Sequence, residues 1–271
     1  MNTEQKPLSG RVALVTGSGR GLGKAIATRL AELGADIAIH DISMEAPAEF
    51  GEAPNLRDSA ADLAQFGGRT TAVTGDIANE EAVGQMRSQI ERDLGPVEIL
   101  VNCAGGDIAA EGGKPNPNNA LEIKMEDVHA LLNRNLIGTM IMCRTFCPPM
   151  IEKRTGSVIN IASVAAHFGT SPEVVYSTVK AAVVHYTRCL AFEMRPIGVR
   201  VNCVSPGPTM TARFLATRKV DDTMATDTVS LNRYGRPEEI ADVVGFLAGD
   251  EARFVHGQVI RVDGGLTLYS G

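Results

Sequence analysis

The sequence predicts a doubly wound α/β fold: one parallel sheet of about seven strands with helices on both faces. Three observations carry this. Short β-type runs alternate with helical patterns from end to end, the order that builds a parallel sheet through right-handed crossovers. The strand runs are continuously apolar rather than alternating, as expected of strands covered on both faces. No Pro- or Ser-rich linker and no long repeat divides the 271 residues, so residues 1–271 read as one domain. Length alone would also allow two.

The first strand candidate, Val12–Thr16, runs into TGSGRGLG and a helical pattern over Leu22–Leu33. The second, Asp36–His40, is followed by an acidic loop, Met44–Leu56, with two prolines, and by a helical pattern over Ala60–Phe66. Strand Thr70–Thr74 precedes helix Glu80–Leu94, and strand Ile99–Asn102 precedes a polar loop, Gly106–Asn119, and a long helical pattern over Asp127–Glu152. The remaining expectations are strand Ser157–Ile161, helix Ser177–Arg195, strand Arg200–Val204, helix Pro237–Ala248 and strand Gln258–Val262. Loops 44–56 and 106–119 are longer than mere connections need. Both follow strands, and ligands of parallel sheets bind beyond the carboxyl ends of strands.

Composition narrows the function. With 44% hydrophobic and 21% charged residues, the chain has enough apolar surface to fold, which excludes wholesale disorder. No apolar run reaches the ~18–20 residues of a membrane span. The polar start Met1–Ser9 lacks the apolar core of a signal peptide. A net charge of −6 argues against nucleic acid as partner, since phosphate binding relies on clustered Lys and Arg. The five cysteines, Cys103, Cys143, Cys147, Cys189 and Cys203, lie in apolar stretches without CxxC spacing. They predict neither a disulfide framework nor a zinc site, and the expected compartment is the reducing cytoplasm.

Candidate chemistry begins at Thr16–Gly23. Gly17, Gly21 and Gly23 give GxxxGxG between a strand and a helix, with Ser18, Arg20 and Leu22 filling the turn. Glycines permit a tight turn and close backbone approach while the next helix aims its N-terminus at a pyrophosphate. A plain Gly-rich turn would look similar. Asp41, 18 positions beyond Gly23 at the end of IAIHD, shifts the balance towards a dinucleotide. A carboxylate there accepts hydrogen bonds from ribose hydroxyls and repels a 2′-phosphate, so NAD is expected over NADP. Arg20 and Arg57 are the cations able to offset that repulsion.

Tyr176 and Lys180, in YSTVK, are four apart and share one helix face. A tyrosine of pKa ~10 is a poor base at neutrality, but a cation about 4 Å away contributes ~4 kcal/mol at an effective dielectric near 20. Lys180 is therefore expected to draw Tyr176 towards neutral pH, where acid–base catalysis is efficient. From YxxxK alone, an aromatic beside a surface lysine would be the plainer reading.

TGSGRGLG, Asp41, the NCAG of Asn102–Gly105, Ser163, YSTVK and SPGPTMT of Ser205–Thr211 occur in order, and RPEEIADVVGFLAGDEARFVHGQVIRVDGGLT closes the series. From about Gly10 to Thr267 the chain resembles the short-chain dehydrogenases/reductases, a family of Rossmann-type oxidoreductases. The resemblance implies that Ser163, thirteen before Tyr176, hydrogen-bonds the reacting oxygen and that Tyr176 takes the alcohol proton. It implies that Lys180 holds the nicotinamide ribose and lowers the Tyr176 pKa, and that Asn135 positions a relay water, Asn133 being a decoy. Asp76 and Ile77 would contact adenine, and Asn102, Ala104 and Gly105 the adenosine ribose side. Pro206, Gly207, Thr209 and Thr211 would clasp carboxamide and pyrophosphate. No metal is needed. NCAG departs from the family's usual NAAG or NNAG, and Cys103 reads as a small core residue.

Substrate candidates are Ser163, His167, Glu173 and Arg213, beside a loop carrying Asp107, Glu111, Lys114, Asn116, Asn118 and Asn119. Pockets for apolar molecules are lined mainly by apolar groups, so this polar set suggests a sugar, polyol or sugar acid. Lys114 and Arg213 could face a carboxylate or sulfonate, though solvated loop charges are the plainer reading, and His167 reads as a hydrogen-bonded pocket residue. The leading expectation is an NAD-dependent dehydrogenase of a secondary alcohol. The alternatives are a 3-oxoacyl-[acyl-carrier-protein]-type reductase and a non-catalytic NAD(H) sensor. Relatives assemble as tetramers or dimers, and Val179, Val183, Tyr186 and Leu190 could face a partner subunit or the chain's own sheet.

Overall fold

The computed structural model describes residues 6–226 and 228–268. Its strands are β1 (Val12–Val15), β2 (Asp36–Asp41), β3 (Thr70–Thr74), β4 (Ile99–Asn102), β5 (Ser157–Ile161), β6 (Arg200–Pro206) and β7 (Val259–Val262). They form one seven-stranded sheet in the order β3-β2-β1-β4-β5-β6-β7, every neighbouring pair parallel. The helices are α1 (Gly21–Glu32), α2 (Leu56–Leu63), α3 (Glu80–Asp93), α4 (Met125–Leu132), α5 (Gly138–Lys153), α6 (Val174–Met194), α7 (Ala212–Thr217) and α8 (Pro237–Ala248).

Alternation along β1 shows why its residues are apolar without interruption. Ala13 and Val15 enter one core with Ile26 and Leu30 of α1, Leu56 and Leu63 of α2, and Ile240 and Val244 of α8. Val12 and Leu14 enter the other, with Val83 and Ile90 of α3, Phe146 of α5, and Leu190 and Met194 of α6. Both faces are dry, the condition a parallel sheet requires. Chain order turns back between β1 and β4, and at such a switch point the carboxyl ends of the strands open a ligand crevice.

Three local outcomes differ from the pattern reading. Helix α2 starts at Leu56 because the Asn55 side chain accepts the Asp58 N–H at 3.0 Å and caps it. Helix α7, which periodicity does not announce, is capped by Thr211 Oγ1 on the Phe214 N–H at 3.1 Å. The single helix expected over Asp127–Glu152 is broken by a π turn at Asn133–Ile137. On α6, Val179, Val183 and Leu190 are buried within the chain itself and Tyr186 is half-buried, so the chain's own packing accounts for the first three. No described helix is long and apolar enough to cross a membrane.

Candidate active site

The glycine turn is built by residues that reach across it. Thr16 Oγ1 accepts the N–H groups of Cys103 and Ala104, both at 3.0 Å, tying the first turn to the NCAG turn after β4. His40, fully buried and held neutral by that burial, accepts the Gly17 N–H at Nδ1 (3.3 Å) and contacts the Gly75 carbonyl through Nε2 at 2.9 Å. Ser18 donates to the Val15 carbonyl at 2.7 Å and accepts the His40 N–H, so its hydroxyl serves the turn rather than a ligand. Gly17 has φ +64°, and a Cβ on it would lie 2.8 Å from Ala104 Cα. A Cβ on Gly23 would overlap the Gly17 carbonyl, so both positions exclude a side chain.

The residue capping α1, Arg20, contributes no side-chain cap. The Gly21 N–H is instead taken by a carboxylate oxygen of Glu52 at 2.8 Å, while Lys24 Nζ donates to the Glu52 carbonyl at 2.9 Å. The first turn of α1 thus accepts an anion in this structure, which fits the pyrophosphate of a dinucleotide. Asp41 ends β2 nearby, 7% exposed, with one carboxylate oxygen accepting the Ile42 N–H at 2.9 Å. The acidic loop folds over this region. Arg20 pairs with Glu49 and lies over the Phe50 ring at 5.0 Å, and Pro47 packs against Gly19. Arg57 is exposed. Asp76 is exposed, capping the Ala78 N–H, and Ile77 is buried against Gly138 at the start of α5.

Beyond β4, Ala104 and Gly105 line the crevice side of the NCAG turn, but the Asn102 side chain points into the sheet. Its Nδ2 donates to Asn160 Oδ1 at 2.9 Å and to Cys143 Sγ at 3.3 Å, so it couples β4 to β5 and α5 rather than meeting a ribose. Cys103 is half-buried, and burial pushes its thiol up to about 12, which leaves it protonated. Asn135, fully buried in the π turn, donates to the carbonyls of Leu131 (2.9 Å) and Gly106 (3.1 Å) and accepts the Gly106 N–H at 2.8 Å. By taking the Leu131 carbonyl, the side chain displaces a helical amide, and the turn widens there. Asn133 is exposed.

Ser163 follows β5, its Oγ accepting the Ala165 N–H at 3.2 Å. Tyr176 sits in the first turn of α6, where burial pushes its phenol up to about 12 and a hydrogen bond with Ser163 opposes that rise. Lys180, 4% exposed, donates to the Ile161 carbonyl at 2.9 Å and stands 5.8 Å from the Tyr176 ring centre. Burial draws its ammonium down to about 8. The expected lowering of Tyr176 by Lys180 is therefore corrected for the chain alone: burial dominates, and the groups that oppose it are Ser163 and Arg218. At the end of β6, Pro206 pairs with Val262 and the Gly207 N–H donates to the Val262 carbonyl at 2.9 Å. Thr209 Oγ1 donates to the Gly207 carbonyl, leaving Thr211 to cap α7.

Of the substrate candidates, Glu173 is already engaged. Lys114 and Arg218 both bind its carboxylate, at 2.6 and 2.7 Å, so it latches loop 106–119 and the end of α7 to the head of α6. Asp107, 6% exposed, receives Asn118 at 2.9 Å and lies 3.6 Å from Lys114 Nζ. His167 Nε2 meets Ser205 Oγ at 3.0 Å. Arg213 Nη2 donates to the Asp107 carbonyl at 3.3 Å.

Residues 17–267 match the family model described as enoyl-(acyl carrier protein) reductase, and that span contains both the glycine turn and the Ser163–Tyr176–Lys180 group. The chain belongs to the short-chain dehydrogenase/reductase family. A cyclohexanol dehydrogenase of Rhodococcus sp. (strain TK6) is 36% identical over 271 residues, covering 98% of this chain and 99% of the relative. A 3-oxoacyl-[acyl-carrier-protein] reductase of a Synechocystis species is 32% identical over 267 residues, covering 97% and 99%. A 7α-hydroxysteroid dehydrogenase solved with NADH and 7-oxo glycochenodeoxycholic acid superposes with TM-score 0.83 at 29% identity, covering 98% of this chain and 97% of that one. As a short-chain dehydrogenase/reductase the protein is an oxidoreductase that uses a nicotinamide dinucleotide.

Proposed function

We propose that the protein is an NAD-dependent dehydrogenase interconverting a secondary alcohol and a ketone on a polar, hydroxylated small molecule such as a sugar, polyol or sugar acid. The observation that carries the reading is the Tyr176–Lys180 pair on one face of α6 with Ser163 against the phenol. When bound, the dinucleotide supplies the hydride acceptor. Gly17, Gly21, Leu22, Gly23, Asp41, Ala104, Gly105, Thr209 and Thr211 would hold it, with Lys180 on the nicotinamide ribose. Ser163 orients the substrate hydroxyl, and Tyr176 Oη takes its proton in oxidation and returns one in reduction. Lys180 keeps a positive charge near the phenolate that must form. Asn135 fixes both polar groups of Gly106 and so the floor of the pocket.

NAD preference rests on Asp41. Its buried carboxylate at the end of β2 favours ribose hydroxyls and disfavours a 2′-phosphate. The native protein is expected to prefer NAD over NADP by about tenfold or more in kcat/KM, one unpaired charge contact being worth at least a decade. Asp41→Ala should shrink that ratio chiefly through NAD affinity. Steady-state turnover with each dinucleotide checks this, and a native preference for NADP with a 3-oxoacyl thioester would favour the reductase reading instead. Small-molecule specificity is supported by the Asp107–Lys114–Glu173–Arg218 cluster over the head of α6. Self-association belongs to the same reading, supported by Phe192 on α6, which is 77% exposed.

A further inference from the structure

We infer that the substrate carries a carboxylate near the reacting hydroxyl and that the Arg213 guanidinium binds it. The inference rests on the dehydrogenase reading and names the substrate class for that site.

Arg213 lies on the reacting side of the crevice. Its Nη1 stands over Gly106, 2.9 Å from where a Cβ on that glycine would be, and the Gly106 backbone is the one clamped by Asn135. One residue earlier, Lys180 Nζ stands 3.5 Å from the corresponding point on Gly105. The two side-chain-free residues thus bring a catalytic cation and a second cation to one floor.

Three other cations around the site have carboxylate partners: Arg20 with Glu49, and Lys114 and Arg218 with Glu173. Arg213 has none among the described residues. Its hydrogen bond goes to the Asp107 carbonyl, which leaves most of its five N–H donors uncommitted. The nearby acids do not serve it, since Glu173 is held by two cations and the Asp107 carboxylate by Asn118 and Lys114. Burial and the neighbouring Arg20 and Arg134 work against its charge, with Glu49 and Tyr176 acting the other way. An incoming anion relieves this imbalance, and a guanidinium fork matches a carboxylate bidentately.

The test is calorimetric titration of the enzyme–NADH complex with cyclohexanecarboxylate and, separately, cyclohexanecarboxamide. The acid is expected to bind at least about tenfold tighter, as a charge-assisted pair against a neutral one requires. Arg213→Met should erase the difference, and Arg213→Lys, a milder change that guards against misfolding, should keep part of it. Equal binding of the two probes, no binding of the acid, or a preference that survives in Arg213→Met would overturn the inference. So would a tenfold weaker NADH affinity in Arg213→Met, which would assign the residue to the dinucleotide phosphates. If the acid preference holds but no hydroxy acid or neutral alcohol is oxidised with either dinucleotide, the dehydrogenase reading alone fails.

Discussion

Replacing Tyr176 by phenylalanine is expected to cut alcohol turnover by about 10²–10⁴-fold, the range of a lost general acid–base group, while NADH still binds. The substitution removes one hydroxyl from a ring that α6 already positions, so the helix and the sheet beneath it should be undisturbed. The hydroxyl is hydrogen-bonded to Ser163, and with burial holding it near 12 it is a phenol at neutral pH. Oxidation requires that phenol to lose its proton, so oxidative kcat/KM should climb with pH, whereas reduction, which needs the phenol, should fall at the alkaline end. Steady-state rates in both directions, together with NADH fluorescence titration of the variant, check this. Unchanged turnover would remove Tyr176 from the chemistry.

Lys180→Met is the second large effect. Methionine keeps the length and packing of the buried stem but removes the ammonium held by the Ile161 carbonyl. A cation ~6 Å from the forming phenolate contributes ~3 kcal/mol at an effective dielectric near 20, about two decades in acidity. The variant should therefore lose on the order of 10²-fold in oxidative kcat/KM near neutrality, and its alkaline rise should move to higher pH. In the native protein the Lys180 ammonium, drawn down to about 8, discharges above that pH, so the native rise should flatten there. Removing a cation raises the phenol pKa, which fixes the sign. A pH–rate profile of Lys180→Met that overlays the native one would restrict Lys180 to holding structure.

Much of this was legible in the sequence because it rests on local signals. Continuous apolar runs placed all seven strands to within about two residues, since strands buried on both faces leave no polar gaps. Tyr176 and Lys180 stand out by their spacing along one helix, whereas Ser163, Asn135 and the catalytic reading of the pair come from the ordered family motifs. What escaped depends on contacts between distant segments. The π turn holds Asn135, whose side chain reaches Gly106, 29 residues away, and no periodicity encodes that. Glu173 looked available to substrate three residues before Tyr176, yet Lys114 and Arg218, 59 and 45 residues away, claim it. The Asn102 motif was recognised, but its side chain turns inward to Asn160. His40 and Thr16 hold the glycine turn through contacts that no local pattern shows. A polar histidine inside the apolar strand IAIHD was the one available clue.

The central claim is hydride transfer from a carbinol carbon. It is tested most directly by incubating the protein with NAD and a panel of secondary alcohols deuterated at that carbon, cyclohexanol and hydroxy carboxylic acids among them, and analysing the dinucleotide by mass spectrometry. Deuterium should appear in NADH with at least one alcohol and be absent with Tyr176→Phe. Dinucleotide that binds but never acquires the label would contradict the account and leave a binding protein.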